Sequence, residues 1–193
     1  MRAIILSKTK YGESDLILKL LDSDGYLFSA IAKSALKSKK RFSGGVLEPT
    51  HHVDLRLLER KGGEDRMQVI GEAKIVHDFH GIRTSYNKLT MGIEFCMTVG
   101  RMIREGVPHP EVFNLLGHAL ATLEDLGDKE IEKLRVQFEL KLMHSQGILD
   151  VTAEMRQFLN RPIRETGDID TNGDELERLR KSIKSVLPEY TGF

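Results

Sequence analysis

Five cations and no anion fall within nine residues at Lys33-Ser-Ala-Leu-Lys37-Ser-Lys39-Lys40-Arg41. Lysines at this density act as point charges toward phosphate oxygens, and the two serines add neutral donors. Contacts of this kind hold a nucleic-acid backbone without reading its sequence. If all five met phosphates of a single strand, log affinity would fall with log salt at a slope of about −3.5, from roughly −0.7 per phosphate. A merely solvated loop is the alternative reading. Tyr11 beside Lys10, and Phe42 beside Lys40-Arg41, put aromatic rings next to cations, a pairing that suits base stacking. Partial core burial is the alternative for both rings. A second stretch, Lys8-Thr-Lys10-Tyr11-Gly-Glu-Ser-Asp15, reads as the connection between the first two apolar runs. Arg56 and Arg60 alternate with Val53, Leu55 and Leu57, so they extend a basic track or simply solubilise a strand.

Other chemistry is harder to build. His51 and His52 are adjacent, and on a strand they face opposite sides. His77-Asp78-Phe79-His80 lacks the i, i+4 helical spacing of a zincin pair, so no metal site is expected. There is no Gly-x-Ser-x-Gly elbow and no phosphate loop ending in Gly-Lys-Ser/Thr. Cys96, the only cysteine, excludes an internal disulfide and sits on an apolar helical stripe. The residues point to a protein without catalytic activity or cofactor.

These candidates must be positioned by two halves of different period. Up to about residue 80 the chain reads as strands: Ala3–Ser7, Leu16–Leu21, Gly25–Ala32 after the Ser23-Asp24-Gly25 turn, an alternating Val53–Leu57, and Met67–Val76 after Lys61-Gly-Gly-Glu64. Five short strands at this spacing predict a small closed or nearly closed antiparallel barrel, or else a sandwich. From Gly81 the period becomes helical. One stripe runs Leu89, Ile93, Cys96, Gly100, Ile103, with Ser85 as N-cap and Gly106 as stop. Another opens at Pro110 with Val112, Phe113, Leu116, Leu120 and Leu123, ending at Gly127. A third uses Ile131, Leu134, Phe138 and Leu142 and closes at Gly147. A short helix is expected over Ala153–Leu159, a polar loop over Arg164–Gly173, and a last helix through Leu176, Leu179, Ile183 and Val186 that stops before Pro188. The expected domains are therefore 1–80 and 81–193.

Composition agrees with a folded, water-facing chain. Of 193 residues, 30% are charged and 40% hydrophobic. No apolar run approaches the ~20 residues that span a bilayer, and the N-terminal residues lack a signal-peptide layout. A cytoplasmic protein is expected. The net charge of zero hides an asymmetry. Residues 1–80 carry 14 Lys and Arg against 11 Asp and Glu, while residues 81–193 carry 15 against 18. Local density, rather than that total, governs phosphate binding.

The pattern Ala3-Ile-Ile-Leu, Tyr11-Gly-Glu-Ser-Asp15, Gly25, Ala32-Lys33, Lys40-Arg41, Gly45 and Leu47-Glu-Pro49 resembles the N-terminal domain of the bacterial recombination mediator family RecO. Arg135-Val-Gln-Phe-Glu-Leu-Lys-Leu142, with Gly147 beyond it, resembles that family's helical-domain signature. The resemblance covers most of residues 1–150. It implies an OB-fold barrel followed by an all-α domain, with no catalysis. The implied activity is binding of single- and double-stranded DNA, strand annealing and, with the partner RecR, loading of the RecA recombinase onto DNA covered by single-stranded DNA-binding protein. It places DNA contact at Lys33, Lys37, Lys39, Lys40 and Arg41. The acidic tail of single-stranded DNA-binding protein is expected near Arg135 and Lys141. Here the sequence departs from the pattern, because Val136 stands where relatives often carry arginine. A four-cysteine zinc module common in the family cannot be built from Cys96 alone. Two other functions compete: a protein–protein adaptor working through the acidic helical half, and a metal-dependent phosphoesterase using His77, Asp78 and His80.

Overall fold

The computed structural model describes residues 1–38, 40–58 and 67–191, with backbone alone for 187–191. It divides the chain into two compact units. One comprises Met1–Asp78 with Ile103–Phe113, the other Phe79–Met102 with Asn114–Phe193.

The first unit is a closed barrel of five strands: β1 (Arg2–Tyr11), β2 (Asp15–Asp22), β3 (Leu27–Ala32), β4 (His52–Leu58) and β5 (Gln68–His77). Their order around the barrel is β1-β2-β3-β5-β4, returning to β1. This is the expected OB-fold barrel, with one refinement. All ladders are antiparallel except β3 with β5, which is parallel and pairs only Ala30 with Gln68 and Ile31 with Val69. Period-2 alternation sends Leu16, Leu18 and Leu20 of β2 inward, with Val53 and Leu55 of β4, into one apolar core. β1 outlasts its apolar run. Its pairing with β2 continues through the polar residues Lys8–Tyr11, opposite Leu18–Asp15. The connection between the first two strands is therefore just Gly12–Ser14, shorter than the eight residues expected.

The turn after β2 uses a backbone conformation that favours glycine. Gly25 sits at φ +88°, and its carbonyl accepts the His109 N–H at 3.0 Å. A Cβ there would lie 2.1 Å from the His109 carbonyl carbon, so this turn and the segment Ile103–Phe113 meet backbone to backbone.

The second unit is helical. It contains α1 (Tyr86–Met102), most of α2 (Pro110–Asp125), α3 (Ile131–Ser145), α4 (Arg156–Asn160) and α5 (Gly173–Thr191). The buried stripe of α1 is Met91, Gly92, Phe95, Cys96, Val99 and Gly100, rotated from the expected one, so that Leu89 and Ile93 are only half-buried. Ser85 does cap α1, its Oγ accepting from the Lys88 N–H at 3.5 Å. α3 is buried on nearly all sides, adding Val136, Gln137, Leu140 and Met143 to the expected face. It runs through the middle of the unit, against α1, α4 and α5. Gly147 at φ +68° ends it, with the Ile148 N–H returning to the Met143 carbonyl at 3.2 Å. Of the segment expected as a polar loop, the first part lies in a 3-10 turn, Ile163–Asp168, in which Ile163 and Thr166 are buried, while residues 169–172 have no regular structure. α5 continues past Pro188, where a stop was expected.

Candidate nucleic-acid interface

The basic segment leaves the end of β3 and plugs the barrel. Ala35, Phe42, Val46 and Leu47 join the barrel core. These four anchors leave Lys33, Lys37 and Lys40 on the outside, where all three are exposed. Backbone bonds tie the same stretch to the β1–β2 turn. The Leu36 N–H donates to the Ser14 carbonyl at 3.0 Å, and the Ser34 N–H to the Asp15 carboxylate at 2.7 Å. Ser34 takes φ +55° to make that contact. The two stretches singled out from sequence thus become one surface. Tyr11 pairs with Asp15 in the hairpin, so the Asp15 side chain links the Tyr11 register directly to Ser34.

Among the described residues, Lys10, Lys33, Lys37 and Lys40 have no ion-pair or side-chain hydrogen-bond partner, which leaves four ammonium groups available to an anion. Lys39 lies outside the described residues, as does Arg60. Arg41 differs from its neighbours. Its guanidinium donates to the Lys33 carbonyl at 2.9 Å and lies 5.2 Å over the Phe42 ring. Its own carbonyl accepts from the Ala73 N–H of β5 at 3.3 Å. These contacts make it a brace that holds the loop against the barrel and engage one terminal nitrogen of its guanidinium. Phe42 is buried, so of the two readings open for it the structure takes core burial rather than a stacking face. Tyr11 is 57% exposed and keeps that capacity.

Lys8 and Arg56 are not free. Lys8 pairs with Glu48. Arg56 lies on the β4–β5 face, 3.6 Å from Glu72 across the ladder, with Asp54 and Lys74 lining the same shallow recess. This alternation of signs gives that face little net field.

The two positions expected to take a partner's acidic tail are already engaged within the helical unit. Arg135 reaches Glu94 of α1 at 3.2 Å and Glu139, one turn along α3, at 3.0 Å. Burial alone would lower the pKa of its guanidinium, but Glu139, Glu94 and Glu132 outweigh that and raise it. Glu139 is pushed the other way from a typical ion-paired carboxylate. Burial raises its pKa more than Arg135 lowers it. The two directions agree once the charges are counted, since one guanidinium serves several carboxylates and the most buried of them is left under-compensated. The Lys141 ammonium donates to the Leu159 carbonyl, and burial lowers its pKa. Both cations therefore hold α3 against its neighbours.

His51 is buried, with Nδ1 3.1 Å from the Val46 carbonyl, and His52 meets the edge of Phe113 at 5.6 Å. Among the described residues, no three His, Cys, Asp or Glu side chains come together as metal ligands would, His77, Asp78 and His80 included. Among those residues, too, no helix is long and apolar enough to cross a membrane.

A plugged five-stranded barrel with lysines on its loop, joined to a helical unit built around α3, matches one family along most of its length. The model of the recombination protein O N-terminal domain matches residues 1–79, and that of the C-terminal domain matches 83–156. The chain belongs to the RecO family. A DNA repair protein RecO from Desulfosudis oleivorans is 32% identical over 154 residues, 80% of this chain and 58% of that protein. RecO proteins from Syntrophobacter fumaroxidans and Thermodesulfovibrio yellowstonii are 31% and 34% identical over 147 and 122 residues, covering 76% and 63% of this chain and 56% and 47% of theirs. The chain thus spans less than three-fifths of the length of the RecO relatives it matches.

Sequence reasoning found the lysines but missed Leu36. This leucine is 54% exposed in the middle of the basic loop, and a single apolar residue between cations carries no signal of whether it faces the core or the solvent.

Proposed function

We propose that this chain is a non-catalytic DNA-binding protein of repair and recombination, which holds strands on the lysine loop of its barrel and promotes their annealing. In this reading residues 1–80 form the DNA-binding domain and 81–193 a helical domain for partner contacts. The observation that carries it is the set of four ammonium groups without a partner among the described residues, Lys10, Lys33, Lys37 and Lys40, around a loop pinned to the barrel core by Ala35, Phe42, Val46 and Leu47. A loop fixed in this way presents its charges without having to be ordered by the ligand, so less entropy opposes binding. Neutralising phosphates on two strands also reduces their mutual repulsion, which favours annealing. Family membership supports a role in DNA repair, with RecR, single-stranded DNA-binding protein and RecA loading as the partners and outcome implied. Both single- and double-stranded DNA fit a site built from point charges. The test is annealing of complementary oligonucleotides at ~150 mM salt, near physiological ionic strength. The intact protein should accelerate it, and the variant Lys33→Ala/Lys37→Ala/Lys40→Ala should not. Equal acceleration by both proteins would overturn the reading.

Partner capture through the helical unit is a narrower proposal. Arg135 and Lys141 support it by holding α3 in place, so their replacement is expected to lower stability as well as any tail binding.

A further inference from the structure

Two large apolar side chains stand in solvent within the same patch as the free lysines. Tyr11, at the end of β1, is 57% exposed, and Leu36, in the basic loop, is 54% exposed. Both positions are tied down by the backbone. Leu36 is held by its N–H bond to the Ser14 carbonyl, while its neighbour Ala35 turns into the core. Tyr11 is fixed by the β1–β2 ladder opposite Asp15, whose carboxylate binds the Ser34 N–H. Both side chains therefore ride on restrained backbone a few residues from Lys10, Lys33 and Lys37. Apolar groups placed among unpaired cations are poorly suited to solvent or to a duplex exterior, whose outer surface is phosphate and sugar. They suit a polyanion that also exposes apolar faces, and unpaired bases are such faces.

Resting on the proposed DNA-binding role, we infer that Tyr11 and Leu36 are base-contacting residues that make the lysine loop selective for unpaired strands over duplex. The lysines supply a charge term that any nucleic acid satisfies. Tyr11 and Leu36 add a term available only where bases are unstacked, with the phenol ring against one base face and the leucine methyls against a neighbouring one. Because neither side chain is charged, this contribution leaves the number of displaced counterions, and hence the salt slope, unchanged.

The experiment measures binding of the full chain to three probes of equal length: a mixed-sequence single strand, an abasic single strand with the same phosphates, and a duplex. Tyr11→Ala and Leu36→Ala are compared with the unaltered protein, with Tyr11→Phe as the conservative variant that retains a ring. Stacking on one base typically makes a difference of about ten-fold or more in affinity. Each alanine variant should lose roughly five- to ten-fold on the base-bearing single strand, with little change on the abasic strand or the duplex, and Tyr11→Phe should bind like the original. Equal losses on base-bearing and abasic strands, or no loss on either, would overturn this inference while leaving lysine-driven binding intact. If the unaltered chain shows no salt-dependent binding to any probe, the DNA-binding reading itself fails, and this inference with it.

Discussion

Replacing Lys33, Lys37 and Lys40 together by alanine tests whether the loop works as a phosphate track. Counting only Lys10, Lys33, Lys37 and Lys40, single-strand binding should follow a log–log salt slope of about −2.8, and the triple variant about −0.7. Between 50 and 200 mM salt, the unaltered protein should then lose affinity roughly 50-fold and the variant only about three-fold. The replaced side chains lie outside the core and have no ion-pair partner among the described residues, so the fold should be unaffected and thermal unfolding unchanged. Fluorescence anisotropy of a labelled oligonucleotide across a salt series measures both quantities. A variant that keeps the original slope and affinity would show that the cations are merely solvated, and the placement argument would be wrong. A weaker complex with an unchanged slope would be equally damaging, since it would mean that the lysines act through folding rather than charge.

Other expectations concern the scaffold. Arg41→Ala removes both the bond to the Lys33 carbonyl and the contact over Phe42, and should cost about 1–2 kcal/mol in urea unfolding, with only a small change in salt slope. Gly25→Ala combines a positive φ with a Cβ 2.1 Å from backbone, and should destabilise by roughly 3 kcal/mol or more, or prevent folding. Gln137→Leu strips the Phe158 and Arg161 carbonyls of a shared amide donor and leaves the Thr166 hydroxyl only the Ile163 carbonyl as acceptor; about 2–4 kcal/mol should be lost, read by chemical denaturation. Glu139 titrates at a higher pKa folded than unfolded, so the folded state binds more protons and its contribution rises as pH falls toward the unfolded value near 4.5. The stability of Glu139→Gln relative to the original should therefore be highest near pH 7 and decline on acidification to about pH 5, with a pH-independent difference refuting the assignment.

The strands were legible as short apolar runs bounded by turn residues, and in β4 as the open alternation Val53-Asp54-Leu55-Arg56-Leu57. What sequence could not show was how far a ladder extends beyond its apolar part. The stretch Lys8–Tyr11 reads as loop because it is polar, yet it is strand because β2 supplies its hydrogen-bonding partners. In α1 the helical period was correct but the stripe was rotated. The buried side adds Met91, Gly92, Phe95 and Val99 to Cys96 and Gly100, and a helix so rich in apolar residues offers more than one stripe at the same period. The candidate site was legible as charge and illegible as architecture. Five cations in nine residues are visible in any order, whereas the division of labour among them depends on partners remote in sequence. Arg41 is braced against Ala73 of β5, and Arg135 is held by Glu94 from another helix. Residue type alone does not separate such a cation from the free Lys37 next to Leu36.

The parallel seam between β3 and β5 bears on how this barrel comes together in time. β1, β2 and β3 join through turns of a few residues, whereas the seam joins Ala30 to Gln68 and Ile31 to Val69 across nearly forty residues of chain. Closing so long a loop before its contacts form is entropically slow, so the three-stranded meander should assemble early and the seam late. The basic loop starts at β3, and its closing brace lands on Ala73 of β5, so the lysine surface is completed only when the ring closes. The amides of Val69 and Ala73 should accordingly be among the first in the barrel to exchange with solvent. A chain stalled before that step would have strands but no grip.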